Sequence, residues 1–297
     1  MGAAKRRISW FGQVKVYTGK CFRLFINEKQ WKNFITAFVL ILIIILVTSK
    51  DMFRDYPDTK NGLFTIICGC IWVGLFNSIQ SICRERAIIK REHRTGLRLS
   101  SYITAHAIYE AFLCAIEALI ILVMVYIKDA INGGYITTEG LVFVPFLDYY
   151  ITFFLVVYGA DTIAMFVSSL VRKENTAMTI MPFVLIVQLV MSDAIFPLGD
   201  GGKFFSNFTT SKWGLEATLR ISNTSPVLYG TTADEQLMKM DLRSYHWSHK
   251  MLQNMGADAS PDAGKLWAAW GVMLLLIAVF LIGSVLILRL VDKDKRI

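Results

Sequence analysis

Three carboxylic side chains lie inside long apolar runs of this chain: Glu110, Glu117 and Asp161. Glu110 and Glu117 are seven residues apart, two turns of a helix, so a helix puts them on one face. Asn77, Gln80 and Gln188 add neutral polar groups to other apolar runs. Charges at membrane depth are costly and face protein or water. The set therefore reads as a polar or proton path, or as interhelical hydrogen bonding that holds a bundle together. The spacing shows no ladder, which favours the second reading. A different chemistry belongs to Cys83–Gly96, a helix-compatible stretch with Gly96 as its stop. In a helix Glu85 shares a face with Ile89, and Arg86 with Lys90, while Ser100 or Ser101 could cap the helix that follows. Residues 84–98 carry six Lys/Arg and two Glu, more charge than membrane orientation requires. That excess fits a short helix offered to a partner through Arg84, Glu85, Arg86, Lys90, Arg91 and Glu92.

Other chemistries find little support. The chain has no Gly-x-x-x-x-Gly-Lys-Ser/Thr phosphate loop, and its nearest approach, Gly199–Lys203, has the wrong spacing. No bound cofactor is expected. His93 and His106 have no recognisable catalytic partners. His246 and His249, three apart, have no nearby cysteine or strong carboxylate partner, so no metal site is expected. The five cysteines (Cys21, Cys68, Cys70, Cys83 and Cys114) include no Cys-x-x-Cys pair. Asn207-Phe208-Thr209 and Asn223-Thr224-Ser225 match the glycosylation pattern, which matters only where the source cell glycosylates. Lys5, Arg6 and Arg7 open the chain without a signal-peptide core behind them, and Arg6 breaks the myristoylation pattern.

The elements that must position these groups follow from composition. Of 297 residues 55% are hydrophobic, with a mean hydropathy of +0.49. The apolar excess falls in blocks of roughly 20 residues, the length that crosses roughly 30 Å of hydrocarbon. An all-α integral membrane protein follows, one domain over residues 1–297. Its six expected spans are 33–49, 63–83, 102–127, 147–171, 176–196 and 266–288. In the leading residues 1–32, Trp10, Val14, Tyr17, Cys21 and Phe25 recur at helical spacing beside Lys15, Lys20 and Arg23. This reads as an amphipathic interfacial helix, or as a helix packed on another domain. Residues 197–265 form a long polar segment. Phe204, Phe205, Phe208, Trp213 and Leu215 there read as short re-entrant helices or as a small external core.

Charge orients the layout. Residues 1–33, 84–100, 172–174 and 289–297 hold 20 Lys/Arg against 6 Asp/Glu, and the opposite side holds 11 against 14. By the positive-inside rule the first set is cytoplasmic, with both termini. The net charge of +8 is thereby explained by topology, and nucleic-acid binding is not expected. No internal repeat supports an inverted-repeat carrier.

The order of amphipathic helix, two spans, Glu-Arg-x-x-x-Lys-Arg-Glu (Glu85–Glu92), and Leu-Ser-Ser-Tyr (Leu99–Tyr102) resembles the membrane domain of an ATP-binding cassette exporter of the G-subfamily or ABC type-2 kind. Ser192-Asp193-Ala194-Ile195-Phe196-Pro197 resembles the family's Ser-Gly-x-x-Phe/Val segment, with Asp193 in place of glycine. Lys212-Trp213-Gly214-Leu215-Glu216-Ala217 resembles its external Arg-Tyr-Gly-x-x-Ala segment. The resemblance implies a plasma-membrane permease dimer, identical or paralogous, around a central cavity. Residues 84–100 would act as the coupling loop to a nucleotide-binding ATPase subunit that carries ATP-Mg, separate from this chain or fused to it. It also implies Val73, Asn77, Ile186 and Leu189 as cavity-lining candidates, open to lipid-like substrates. The rivals are an ion-coupled carrier using Glu110, Glu117 and Asp161, a membrane-bound enzyme, and a non-transporting structural or assembly protein.

Overall fold

A computed structural model describes residues 9–27, 32–54, 56–137, 140–192, 200–223 and 262–293. Ten helices are described: α1 (Trp10–Asn27), α2 (Lys32–Val47), α3 (Tyr56–Ser78), α4 (Ser81–Arg94), α5 (Leu99–Asn132), α6 (Pro145–Leu170), α7 (Glu174–Val190), α8 (Asp200–Ser206), α9 (Thr210–Ser222) and α10 (Ala263–Lys293). No strand occurs among the described residues.

Four stretches are long and apolar enough to cross a membrane: Pro57–Arg94, Leu99–Asn132, Pro145–Leu170 and Ala263–Leu290. Phe34–Val47 and Glu174–Val190 are shorter apolar helices. At about 1.5 Å per residue, α5 is about 50 Å long and outruns the hydrocarbon layer. The first stretch is interrupted. The backbone turns at Ile79–Gln80, so α3 stops at Ser78 and the charged helix starts at Ser81, three residues before the expected Arg84.

The core sits around α6, which packs against α3, α5, α9 and α10. Its closest approach is made at Gly74 of α3. A Cβ there would stand 2.2 Å from the Val157 carbonyl oxygen and 3.0 Å from the Asp161 nitrogen. Only a glycine allows two backbones so near, the usual device for joining helices where lipid supplies no hydrophobic drive. The same approach sets Ser78, one turn after Gly74, beside Asp161.

The outer helices keep apolar residues on the surface. Ile43, Leu46 and Val47 of α2 and Leu275, Val279, Ile282 and Leu290 of α10 are all exposed. In water such stripes would drive association, whereas in lipid they are the solvated face.

The amphipathic stripe of α1 is seated on α5. Val14 and Cys21 are buried, Tyr17 meets Tyr102 edge-on, and Phe22 meets Tyr109. The helix thus packs on its own domain through the face expected to meet the membrane, leaving Phe11, Lys15, Val16, Arg23 and Ile26 exposed. The segment after α7 also returns to the bundle. α9 packs against α3, α6 and α10, and Leu215 joins the core. Gln188 of α7 fixes that return by accepting from the backbone N–H groups of Thr210 and Ser211 at 3.1 and 3.3 Å. Phe204, Phe205 and Phe208 stay exposed. Asp193–Pro197, His246 and His249 and the second glycosylation pattern beyond Asn223 lie outside the described residues.

Candidate functional site: a charged junction and a buried carboxyl cluster

The charged helix α4 has two unlike faces. Ile82, Cys83 and Ile89 are buried, with Glu85 and Glu92 half-buried on the same side. Arg84, Ala87, Ile88, Arg91 and Arg94 are exposed on the other. Ser168 of α6 anchors the start of α4. Its Oγ accepts from the backbone N–H groups of Ile82 and Cys83, both at 3.1 Å. These are orphan donors of a helix start that no side chain of α4 caps. Arg86 donates to the Val171 carbonyl at the end of α6. Gly96 takes φ +115°, and its N–H bonds to the His93 carbonyl at 3.2 Å, so the chain stops where its glycine allows.

Glu85 is the centre of the inward face. Tyr102 Oη donates to its Oε2 at 2.8 Å, Lys20 Nζ lies 3.7 Å from Oε1, and His106 Nε2 lies 3.7 Å from Oε2. Burial works to raise the carboxyl. His106, the Tyr102 hydrogen bond and the Lys20 charge outweigh it and hold the group down to about 2. Two turns further on, Tyr17 donates to Glu92. Burial, the hydrogen bond to Glu92 and the charges of Glu92 and Glu85 raise the Tyr17 phenol above its ordinary value. Gln13 closes the junction from α1, donating to the Gly96 carbonyl at 3.1 Å and accepting from the Arg98 N–H at 3.0 Å. Trp10 Nε1 donates to Ser100 Oγ at 3.1 Å. Ser100 is therefore engaged by α1, and α5 starts after Arg98 without a side-chain cap.

The structure thus turns Glu85 and Glu92 away from the outer surface and leaves Arg84 and Arg91 on it, with Lys90 half-buried. Tyr17, Lys20, Tyr102 and His106 were not singled out for this junction by the sequence. The heptad-like recurrence of Val14, Tyr17 and Cys21 was the one available signal. His106 Nε2 also lies 3.8 Å from Cys21 Sγ. Both contacts use the same ring nitrogen, so the imidazole does not relay between a thiol and a carboxylate as a catalytic triad requires.

Deeper in the bundle, α5 and α6 bring the apolar-run acids together. Glu110 and Glu117 of α5 and Asp161 of α6 are all buried and lie close enough to repel one another. Asn77 Nδ2 donates to Glu117 Oε2 at 2.7 Å. Both Asp161 oxygens, Glu110 Oε2 and Ser78 Oγ are buried without a hydrogen-bond partner. The cavity candidates do not converge in the same way. Val73 is in the core, Asn77 is engaged by Glu117, Leu189 is half-buried and Ile186 is exposed. An open apolar groove of about 500 Å³ lies along α6, α7 and α10, lined by Ile163, Phe183, Val187, Phe205 and Phe280.

The model of the ABC-2 type transporter family matches residues 12–222, which takes in α1 through α9. The chain belongs to the ABC-2 type transporter family. The ABC-2 domain is the membrane-embedded permease part of ABC transporters, and the apolar helices make this chain an integral membrane protein. An ABC transporter ATP-binding/permease protein of Mycobacterium tuberculosis is 21% identical over 223 residues, 71% of this chain and 25% of that relative. The chain spans about a quarter of the length of this relative.

Proposed function

We propose that this chain is the permease subunit of an ATP-driven exporter, with α4 as the coupling helix to a nucleotide-binding ATPase. α2, α3, α5, α6, α7 and α10 are its six spans, and α9 is a re-entrant helix at the outer side. Both termini and α4 lie in the cytoplasm, at the plasma membrane. α1 rests at the inner interface, where Lys15 and Arg23 face lipid headgroups. Two such chains, identical or paralogous, enclose a cavity. Asn77, Ile186 and Leu189 face it, with Val73 packed behind them. ATP-Mg is held by the partner.

The observation that carries this reading is the division of α4. A helix that needed only to stay in water would expose its acids and bases alike. Here Glu85 and Glu92 are bound to α1 and α5, while Arg84, Arg91 and Arg94 flank the exposed Ile88. That is a basic surface with an apolar centre, complementary to an acidic groove with a small hydrophobic pocket. Charge at its rim supplies orientation and the central side chain supplies burial.

Purification of the chain from its native cell in mild detergent tests the reading. A co-purifying subunit with a phosphate-binding loop, whose ATP hydrolysis this chain stimulates, is expected. The double variant Arg84→Glu with Arg91→Glu should stay monodisperse and lose that subunit. A stable complex without any ATPase would refute the proposal. The buried acids would then make ion-coupled transport the reading to pursue.

A further inference from the structure

We propose that Ser78, Glu110 and Asp161, with Glu117 alongside, form a proton-binding site at the joint between α3 and α4, which gains or loses a proton as α4 moves. This rests on the reading of α4 as the coupling helix. The observations begin with the orphaned oxygens. Asp161 is fully buried with neither carboxyl oxygen bonded, and Glu110 Oε2 is likewise without a partner. Ser78 is fully buried on a third helix and faces both carboxyl groups, yet its Oγ closes no hydrogen bond of ordinary geometry. Three carboxyl oxygens in one place thus lack a closed hydrogen bond, with one hydroxyl beside them. A buried oxygen left without a donor costs about 1–3 kcal/mol, and more when it is charged. A proton on a carboxyl oxygen supplies the missing donor and removes one of three mutually repelling charges.

The site fits a proton better than a metal ion. Among the described residues no group of three or more His, Cys, Asp and Glu converges as metal ligands. A proton needs no convergence, because it bonds to one oxygen and hydrogen-bonds to a second.

The ionisable groups around the carboxyls come from four helices. α5 supplies His106, Tyr109 and Cys114, and α6 supplies Tyr158. α3 supplies Cys70 beside Glu117, and α1 supplies Cys21 beside Glu110. Of these only His106 forms a cation, and it stands one turn before Glu110. Its Nε2 faces Glu85 at the surface junction, and its buried Nδ1 has no partner. An imidazole so placed passes protons between the junction and the cluster. The proton comes from bulk water and forms an O–H bond to a carboxylate oxygen, with no electron transfer.

The link to movement is covalent and short. Asn77 and Ser78 end α3, and only Ile79 and Gln80 separate them from α4. A push on α4 tilts the last turn of α3 and withdraws the Ser78 hydroxyl and the Asn77 amide from the carboxyls.

Infrared difference spectroscopy of the purified chain in lipid nanodiscs, without nucleotide, tests the site. A carbonyl band of a protonated carboxylic acid is expected at neutral pH, shifted in D2O. Asp161→Asn or Glu110→Gln should abolish it, Ser78→Ala should shift its frequency, and Glu85→Gln should leave it in place. In the complex with the ATPase, a non-hydrolysable ATP analogue should change the pH of a weakly buffered medium, and Asp161→Asn should cancel that change. Absence of the band, or a band indifferent to all three cluster variants, would overturn the site. So would a band lost on adding sodium at fixed pH. If the band failed while ATPase stimulation persisted, the site alone would fall. If the band behaved as stated but no ATPase partnered the chain, the link to α4 and the permease reading would fall together.

Discussion

Two groups of acids on adjoining helices are treated in opposite ways. Glu85 at the α1–α4–α5 junction is given a phenol, an ammonium and an imidazole within 3.7 Å. Asp161, in the core of the same bundle, closes no hydrogen bond with either oxygen. The junction spends its charges on attachment, since each carboxylate there ties α4 to α1 or α5. The cluster keeps its oxygens unspent, and an unspent buried acid is free to exchange a proton. His106 belongs to both regions, which makes α5 the connection between them. Location accounts for the contrast. The junction lies among basic, half-exposed side chains, whereas the cluster is walled largely by apolar side chains, and the Asn77 amide beside it is spent on Glu117.

The largest expected effect strikes the frame that both regions share. Gly74→Val puts a branched side chain where even a Cβ meets the Val157 carbonyl oxygen at 2.2 Å. It should separate α3 from α6 and cost about 3 kcal/mol or more, the upper end of overpacking. A fall in melting temperature, with loss of monodisperse protein on size exclusion, would show it. An unchanged melt would mean that α3 and α6 do not cross there.

Neutralisation then gives opposite signs in the two regions. Glu85→Gln should destabilise the protein by about 1.5–3 kcal/mol, because it removes the charge that accepts from Tyr102 and pairs with Lys20 and His106. Asp161→Asn should leave the melting temperature unchanged or raise it, because the amide N–H brings a donor to oxygens that lack one. Equal losses from the two variants would erase the distinction between them.

Acid sharpens the same point. The Glu85 carboxyl is held down to about 2 from its ordinary 4.5. Its contribution is therefore present above the ordinary value and is lost as the pH falls from 4.5 towards 2. Limited proteolysis with an acid-active protease should cut α1 progressively faster over that interval, and Glu85→Gln should flatten the dependence. The smallest effect on stability is expected from Arg84→Glu, on the exposed face. It should fall within about 0.5 kcal/mol of the parent by thermal melting, while the proposed coupling role of α4 predicts weaker binding of an ATPase.

Much of this arrangement was legible in the chain itself. The apolar blocks, the charged stretch from Cys83 to Gly96 and the stop at Gly96 are local signals, carried by hydropathy and backbone freedom. The pairing of Glu85 with Ile89 on one face follows from the helical period, and both do lie inward. The shared face of Glu110 and Glu117 has the same origin. Asp161 is 44 residues further along, so periodicity within α5 says nothing of its nearness to Glu110. The seat of α1 was also out of reach, because its apolar stripe suits lipid and a protein groove equally well.

The sequence by itself determined the class of molecule, a multi-helix membrane protein, because transfer of apolar side chains into lipid depends on composition and length; its ABC-2 family rests on the match over residues 12–222 and not on composition. It also determined which residues of each helix share a face, because that depends only on 3.6 residues per turn. Tertiary structure alone decided which way each face is turned. Rotation of one helix against another is set by contacts such as Gly74 on Val157, distant in the chain and visible only when both backbones are present. Those rotations turn Glu85 towards Lys20 and leave Arg84 exposed, and they gather Ser78, Glu110 and Asp161 into one buried place.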